Sequence, residues 1–170
     1  SYTYAYDNMD QLIQEIAPDG YITNYDTTLN IGDNSSRTVY SVTDALNETI
    51  RYEFDPIGRL RLVTYSYEDA PAYNIGFDYN ARGNVLTVRE GDSRPVTFTY
   101  NSIGYLTGST LNDGLQTRYA YNTAGLLAQI TNPAEQITTY GYDFMGNPTQ
   151  VDLPGAALHY AYDNSGNIIG

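Results

Sequence analysis

Aspartates that follow short aromatic stretches are the first side chains in this sequence with metal-binding chemistry. Carboxylate oxygens are the ligands that Ca²⁺ prefers, yet no Asp-x-Asx-x-Asx-Gly loop occurs. Asparagine stands at equivalent positions elsewhere, and a turn needs only an oxygen acceptor whereas a calcium site needs charge. The pattern therefore favours turn formation, and we expect no metal and no cofactor. The residues concerned are Asp7, Asp26, Asp55, Asp143 and Asp163, with Asn80, Asn101 and Asn122 as the neutral equivalents.

Nucleophilic catalysis has little support. His159 is the only histidine, no cysteine is present, and neither a Gly-x-Ser-x-Gly elbow nor a phosphate-binding glycine loop occurs. We expect His159 to be an ordinary strand residue, so that His159→Ala is nearly neutral. The sequence predicts no catalytic residue and no enzyme activity.

Tyrosine accounts for 19 of the 170 residues, which suggests two uses. Aromatic faces stack on the apolar faces of sugars while the hydroxyl bonds outward, so exposed tyrosines could bind carbohydrate. Same-face aromatics on successive strands also pack on one another. Because the tyrosines recur throughout the chain, packing is favoured over a local binding site.

A repeating unit, aromatic-x-aromatic-Asx-x-x-Gly-x-apolar, organises the chain. Its Asx positions 80, 101, 122 and 143 are 21 residues apart, and 163 follows after 20. A fixed period in this range indicates a repeat architecture. The unit's positions are Tyr4, Tyr6, Asp7, Tyr52, Phe54, Asp55, Gly58, Phe77, Tyr79, Asn80, Gly83, Phe98, Tyr100, Asn101, Gly104, Tyr119, Tyr121, Asn122, Gly125, Tyr140, Tyr142, Asp143, Gly146, Tyr160, Tyr162, Asp163 and Gly166.

Each unit predicts a β-hairpin. Aromatics at i and i+2 share one strand face, the Asx starts a turn, and the glycine provides a position where φ can be positive. Replacing Gly125 with Val is expected to cost about 1–3 kcal/mol if its φ is positive. A second turn lies between units, at 18–20, 90–92, 112–114, 132–133 and 153–155. The fold expected is all-β, an antiparallel meander of hairpins of about 21 residues that forms a β-solenoid or a ribbon.

Composition excludes several classes of partner. The net charge is −12 and all eight basic residues are arginine, which argues against nucleic acid or an anionic membrane surface. No apolar run is long enough to predict a membrane span, and residues 1–15 lack a signal-peptide pattern. The chain starts and ends inside the repeat pattern, which favours a segment of a longer protein.

We expect a single array over residues 1–170, with clear repeats at 2–16 and 52–170 and diverged repeats at 21–50. In the diverged part, Tyr25 and Asp26 keep the start of a unit, with Leu29 in the glycine position. Residues 40–47 keep still less of a unit, and a polar loop covers 32–36. An insertion at 68–72 reads as a surface loop because of its proline and charge. Arg59 and Arg61 are expected to share one strand face.

Tyr52 to Leu60, with its Gly58-Arg59-Leu60 ending, closely resembles the YD repeat of the RHS-repeat proteins. This family includes bacterial Rhs polymorphic toxins, the B and C subunits of insecticidal Tc toxins, wall-associated proteins and teneurins. The resemblance implies a β-sheet ribbon wound into a hollow shell, which encloses an effector in the toxins and is an extracellular adhesion scaffold in teneurins. Residues 55–58 look similar to the family's self-cleavage element but sit inside an ordinary repeat, so Asp55 is given no catalytic role.

The main hypothesis is a non-enzymatic wall segment of an RHS/YD-type β-shell or extracellular scaffold. Its partners are further repeats or other copies joined at terminal strand edges, and the resemblance adds an encapsulated effector and an extracellular or cell-surface location. One alternative is a self-assembling filament or tube built by strand-edge pairing. Another is a carbohydrate-binding or adhesion module that uses surface tyrosines.

Overall fold

The computed structural model describes residues 1–30, 37–67, 70–163 and 165–169, with side chains at all of these except 27–30 and 37–39. The chain divides into two compact units, Ser1–Pro95 and Val96–Gly170. All regular elements in the described residues are β-strands. The all-β fold expected from the repeat is therefore confirmed, while the extent of the array stays a prediction.

The first unit holds eight strands and the second holds seven. The first comprises β1 (Thr3–Tyr6), β2 (Leu12–Ile16), β3 (Ile22–Asn30), β4 (Arg37–Thr43), β5 (Thr49–Phe54), β6 (Leu60–Tyr67), β7 (Ala70–Tyr79) and β8 (Val85–Glu90). The second comprises β9 (Val96–Tyr100), β10 (Leu106–Thr110), β11 (Gln116–Tyr121), β12 (Leu127–Thr131), β13 (Ile137–Tyr142), β14 (Pro148–Leu153) and β15 (Ala156–His159). Within each unit, every strand pairs antiparallel with the strands before and after it in sequence.

The strand register separates an aromatic and aliphatic face from a polar face. Across β5, β6 and β7 of the first unit, Tyr52 lies opposite Val63 and Val63 lies opposite Ile75. In the second unit, Tyr140 lies opposite Val151, which lies opposite Leu158. Cross-strand apolar pairs of this kind are the unit of sheet stabilisation. Burial is nevertheless shallow, because Val63, at 5% exposed, is the only large apolar side chain classed as buried among the described residues.

Six of the seven hairpins predicted from the repeat have a bulge at the same place. At six hairpins the register shifts so that the sixth residue after the Asx is left unpaired in the ladder. A bulge bends its strand and increases the local twist. The simple alternation of faces therefore breaks just after each turn. The unpaired residues are Ile13, Arg61, Leu86, Thr107, Ala128 and Thr149.

This bulge corrects the expectation that Arg59 and Arg61 share one strand face. Arg59 is the last residue of the turn and precedes β6, whereas Arg61 is the bulged residue within that strand. A bulge sets two residues against one on the partner strand, so the regular alternation that would place both arginines on one face is interrupted between them.

The diverged segment at 21–50 folds differently from its sequence interpretation. Asp26 lies inside β3 and pairs with Ser41, so no turn begins there. The segment has no glycine at the turn position, and its β-branched threonines at 27 and 28 favour an extended strand. A turn of the repeat type begins at Asp44, within the second diverged copy at 40–47, where Asn47 takes the glycine position with a φ of 60°. The expected polar loop at 32–36 and Ile31 lie outside the described residues.

Two further differences concern the insertion and the last repeat. Ala70 to Ala72, expected in a loop, form the start of β7, because the long hairpin of β6 and β7 extends the ladder by further pairs. Residues 68 and 69 lie outside the described part of the chain. Tyr160 and Tyr162 lie beyond the last strand, where Tyr162 forms an isolated bridge with Ile168.

Candidate functional site: the repeat turns and the contacts between repeats

The Asx side chain of each repeat organises a five-residue turn by itself. At Asn122, the side-chain oxygen accepts hydrogen bonds from the backbone N–H of Ala124 at 3.0 Å and of Leu126 at 2.9 Å. The backbone N–H of Gly125 donates to the Asn122 carbonyl, and φ at Gly125 is +81°. Since an amide oxygen and a carboxylate oxygen can both accept these two bonds, Asp and Asn interchange between repeats.

The same pair of side-chain bonds recurs at nine turns in the described residues. Four of them are Asp positions of the clear repeats and three are Asn positions of those repeats. The other two are Asn132, in the turn predicted between units, and Asp44, in the diverged segment. The nine residues are Asp7, Asp44, Asp55, Asn80, Asn101, Asn122, Asn132, Asp143 and Asp163. The turn is therefore a local unit that depends on one oxygen acceptor.

In three aspartate turns, the second carboxylate oxygen accepts a hydrogen bond from the side chain four residues later. Asn147 donates its amide to Asp143 at 2.9 Å, and Asn167 donates to Asp163 at 3.0 Å. These amide bonds, reinforced by backbone N–H groups, hold the pKa values of Asp143 and Asp163 below their ordinary range. An Asp followed four residues later by Asn or Arg is thus a sequence signal that the repeat consensus alone does not contain.

The second aromatic residue of a repeat bonds back to the preceding repeat. Tyr142 donates its hydroxyl to the carbonyl of Leu127 at 2.7 Å, and Tyr79 donates to the carbonyl of Leu60 at 2.6 Å. In each case the acceptor is the fifth residue after the previous Asx, at the first position of the returning strand. Tyr162 makes the same bond to Pro148 at 2.7 Å. The tyrosine at this position therefore joins one hairpin to the next, which the sequence pattern did not reveal.

Arg59 is a second link between repeats, and sequence reasoning assigned it no role. Its Nε lies 2.6 Å from Asp55 Oδ2, and its Nη1 donates to the carbonyl of Asn80 at 3.0 Å. The guanidinium also lies over the Tyr79 ring, 4.8 Å from the centroid. The backbone N–H and guanidinium of Arg59 lower the pKa of Asp55. One side chain thus connects a turn to the strand and turn of the following repeat.

Gly125 faces a tyrosine of the preceding repeat. A Cβ on Gly125 would lie 2.5 Å from the Tyr105 hydroxyl oxygen and 3.1 Å from its Cε2. The Tyr105 ring packs against Tyr121, with centroids 4.9 Å apart, and burial raises the pKa of Tyr121 with further contributions from the Tyr119 and Tyr105 hydroxyls. The glycine is therefore needed at this position for close approach as well as for its backbone conformation.

Repeat aromatics differ in exposure along the chain. Tyr4 and Tyr6 are 50% and 57% exposed, whereas Tyr52, Tyr119 and Tyr140 are half-buried between neighbouring strands. Other tyrosines of the inner strands are more open, since Tyr73 and Tyr105 are 42% and 38% exposed.

The remaining candidate groups lie apart from one another. His159 is exposed at the end of β15, opposite Gln150. Among the described residues no group of three or more His, Asp or Glu side chains lies close enough to hold a metal ion. In the same residues no helix is long and apolar enough to cross a membrane.

Solved structures of TcdB2-TccC3 share this fold. Crystal structures of TcdB2-TccC3, TcdB2-TccC3-TEV and TcdB2-TccC3-Cdc42 match with TM-scores of 0.59, 0.59 and 0.58 at 15%, 15% and 14% sequence identity. Each match covers 99% of this chain and 11% of the solved chain, so the sequence spans about a tenth of those proteins. At this identity the likeness shows the fold alone. No curated protein matches the sequence significantly.

The family model described as Teneurin YD-shell matches residues 47–170. The match starts where the repeats become regular and includes six of the seven predicted copies. It covers well over half of the chain and agrees with the turn geometry and the antiparallel strand order. The chain therefore belongs to the teneurin YD-shell family of structural repeats.

Proposed function

We propose that this chain is a non-enzymatic wall segment of a YD-type β-shell. The observation that carries the proposal is the set of bonds between consecutive repeats. The hydroxyls of Tyr79, Tyr142 and Tyr162 each bond one hairpin to the previous one. Arg59 adds a charge-assisted hydrogen bond to the repeat that follows it. Because each repeat bonds only to its neighbours, these contacts can be propagated over an array of any length.

Burial supports the same proposal. The aromatic face is half-buried between strands, and little of it is fully removed from water in the described residues. Sheets are normally hydrophobic on a face that packs against another layer. In the wall of a larger particle, other segments of the particle would pack against the half-buried aromatic face of this sheet. The match to about a tenth of the TcdB2-TccC3 chains is consistent with a segment of that kind.

The location and partners belong to the proposal as well. Membership of the teneurin YD-shell family supports an extracellular or secreted setting. Further repeats of the same type are the partners that the hydrogen-bonding pattern fits best. An enclosed effector polypeptide is a further partner proposed for the complete particle.

The test is cryo-electron microscopy of the natural polypeptide that contains this sequence. A wall role predicts a hollow particle in which residues 47–170 lie in the continuous sheet. Filaments of regular width would favour strand-edge polymerisation instead, and an isolated sheet that binds surface glycans in an array would favour the adhesion alternative. Either of those results would reject the wall assignment.

A variant pair sharpens the test. Gly125→Val should leave particles incomplete or protease-sensitive, because it distorts a turn and displaces Tyr105. His159→Ala should leave particles intact, since His159 is exposed at a strand end. Intact, protease-resistant particles with Gly125→Val would show that the repeat turn does not support the wall.

A further inference from the structure

One pair of tyrosine rings lies closer together than any other aromatic pair in the described residues. Tyr105 is the last residue of the Asn101 turn, and Tyr121 is the last residue of β11. Their ring centroids are 4.9 Å apart, with the planes inclined by 45°, whereas the other tyrosine pairs have centroids 6.1 to 6.3 Å apart. Because the two residues belong to adjacent repeats, this contact connects one hairpin to the next.

Tyr121 lacks the hydrogen bond that its counterparts make. Tyr79 and Tyr142 occupy the same position of their repeats and donate to a carbonyl of the preceding repeat. Within the described part of the chain, the hydroxyls of Tyr121 and Tyr105 form no hydrogen bond with the protein. Burial raises the pKa of Tyr121, and the Tyr119 and Tyr105 hydroxyls add to the rise, which places these phenolic ends near one another. The hydroxyls of the close pair are therefore adjacent and unbonded.

Both rings are accessible and held in place. They line a groove of about 460 Å³ between the Asn101 and Asn122 turns, where Tyr105 is 38% exposed and Tyr121 is half-buried. The Tyr105 ring lies between Tyr121 and Gly125, since a Cβ on Gly125 would come within 3.1 Å of its Cε2. Two reacting groups held side by side react as a unimolecular pair, without a diffusional encounter. An oxidant that reaches Tyr105 from solvent therefore generates a radical next to a second phenol.

The sequence lacks the side chains from which proteins build disulfide and isopeptide cross-links. It contains no cysteine and no lysine, whereas tyrosine accounts for 19 residues. The core is also shallow, because Val63 is the only large apolar side chain classed as buried among the described residues. A fold with little buried core gains stability from a covalent link between neighbouring elements, since the link restricts the unfolded chain. Tyrosine coupling is the cross-linking chemistry that this composition favours.

We propose that Tyr105 and Tyr121 form a dityrosine cross-link between consecutive repeats when a haem peroxidase and hydrogen peroxide act on the chain. Each phenol loses one electron and its hydroxyl proton, and a C–C bond forms between the ring carbons ortho to the two oxygens. The hydrogens on those two carbons then move to the oxygens as the rings regain aromaticity, and the peroxide is reduced to two molecules of water. The link needs only these two hairpins, so it does not depend on the wall role.

The test is oxidation of the dilute 170-residue chain with a haem peroxidase and hydrogen peroxide, followed by dityrosine fluorescence and tryptic mass spectrometry. Trypsin cleaves after Arg89 and Arg118, so the two tyrosines fall in different peptides, 90–118 and 119–170. We expect a main product in which these peptides are joined with the loss of two hydrogen atoms, and fragment ions that place the bond at Tyr105 and Tyr121. Its yield should not depend on protein concentration. Links confined to other tyrosines, or formed only between two copies of the chain, would overturn the assignment.

Phenylalanine variants separate this pair from general tyrosine oxidation. Tyr105→Phe and Tyr121→Phe keep the packed rings but remove the oxidisable hydroxyl, so each should lower the yield of the joined peptides by about tenfold or more. Tyr73→Phe, at a tyrosine that is 42% exposed in the first unit, should leave that yield unchanged. Oxidation should also raise the urea midpoint of the wild-type chain, and Tyr105→Phe should remove this increase. Unchanged melting curves before oxidation show that the variants fold, and a full yield from folded Tyr105→Phe would refute the proposal.

Discussion

Gly125 and Gly83 offer a matched comparison of the two reasons why a repeat needs glycine. Both occupy the third position after the Asx of their turns, with φ values of +81° and +88°. A Cβ at Gly83 would meet nothing within 4 Å, whereas a Cβ at Gly125 would lie 2.5 Å from the Tyr105 hydroxyl oxygen. Alanine at Gly83 therefore measures the backbone conformation alone, and alanine at Gly125 measures the conformation together with the contact.

The expected magnitudes follow from this geometry. A left-handed conformation costs an L-residue about 1–2 kcal/mol, so Gly83→Ala should reduce the free energy of unfolding by about 1 kcal/mol. At Gly125 the Tyr105 ring must also shift, and its contact with Tyr121 limits where it can go. Losing an aromatic pair costs about 0.5–1.5 kcal/mol. We therefore expect Gly125→Ala to cost about 2 kcal/mol.

Urea unfolding followed by circular dichroism measures both values, and a Tyr105→Leu background isolates the contact. In that background the cost of Gly125→Ala should fall to that of Gly83→Ala, which gives a coupling energy of about 0.5–1.5 kcal/mol between positions 105 and 125. Equal costs for the two glycines in the wild-type background would refute the role of Tyr105. Negligible costs at both would refute the argument from positive φ.

Four other changes test the contacts between and within repeats. Tyr142→Phe should reduce the free energy of unfolding by about 0.5–1.5 kcal/mol, because it removes one hydrogen bond to a backbone carbonyl. Arg59→Gln should cost about 1–2 kcal/mol in the same assay, since a half-buried ion pair and a backbone contact are lost together. Asn147→Ala should raise the pKa of Asp143 toward its ordinary value in a carboxyl NMR titration, because the amide donor is the largest cause of its lowering. His159→Ala should change the melting behaviour very little.

Each of these changes has a control or a contrary outcome. Tyr140→Phe removes a hydroxyl with no hydrogen bond among the described residues, so its cost should be close to zero, and a cost equal to that of Tyr142→Phe would argue against the inter-repeat bond. Arg82→Gln is the matching control for Arg59→Gln. A carboxyl whose pKa is lowered on folding, such as Asp143, stabilises the fold above its unfolded value of about 3.8 and loses that contribution as pH falls through the folded value. An unchanged Asp143 pKa in Asn147→Ala would contradict this account of the turn.

Local sequence predicted the hairpins well because turn chemistry is local. An Asx oxygen bonds to backbone groups two and four residues away, so Asn122 or Asp143 forms the same turn wherever it follows a strand. The aromatic residues at alternating positions are a local pattern as well, and the teneurin YD-shell match covers the residues that carry both patterns. Where the local signal weakened, the prediction was wrong, as at Asp26, because β-branched neighbours and a seven-pair ladder with β4 kept the strand extended.

The sequence by itself therefore determined the repeat, its turns and the all-β class, each from interactions within about five residues. Strand register and everything that depends on it were decided only in three dimensions. The Tyr142 hydroxyl meets the Leu127 carbonyl because two strands are in a particular register, and the Arg59 guanidinium reaches the Asn80 carbonyl for the same reason. These contacts join atoms that are 14 or more residues apart, whose partners are fixed by the pairing of the sheet and not by their neighbours in sequence.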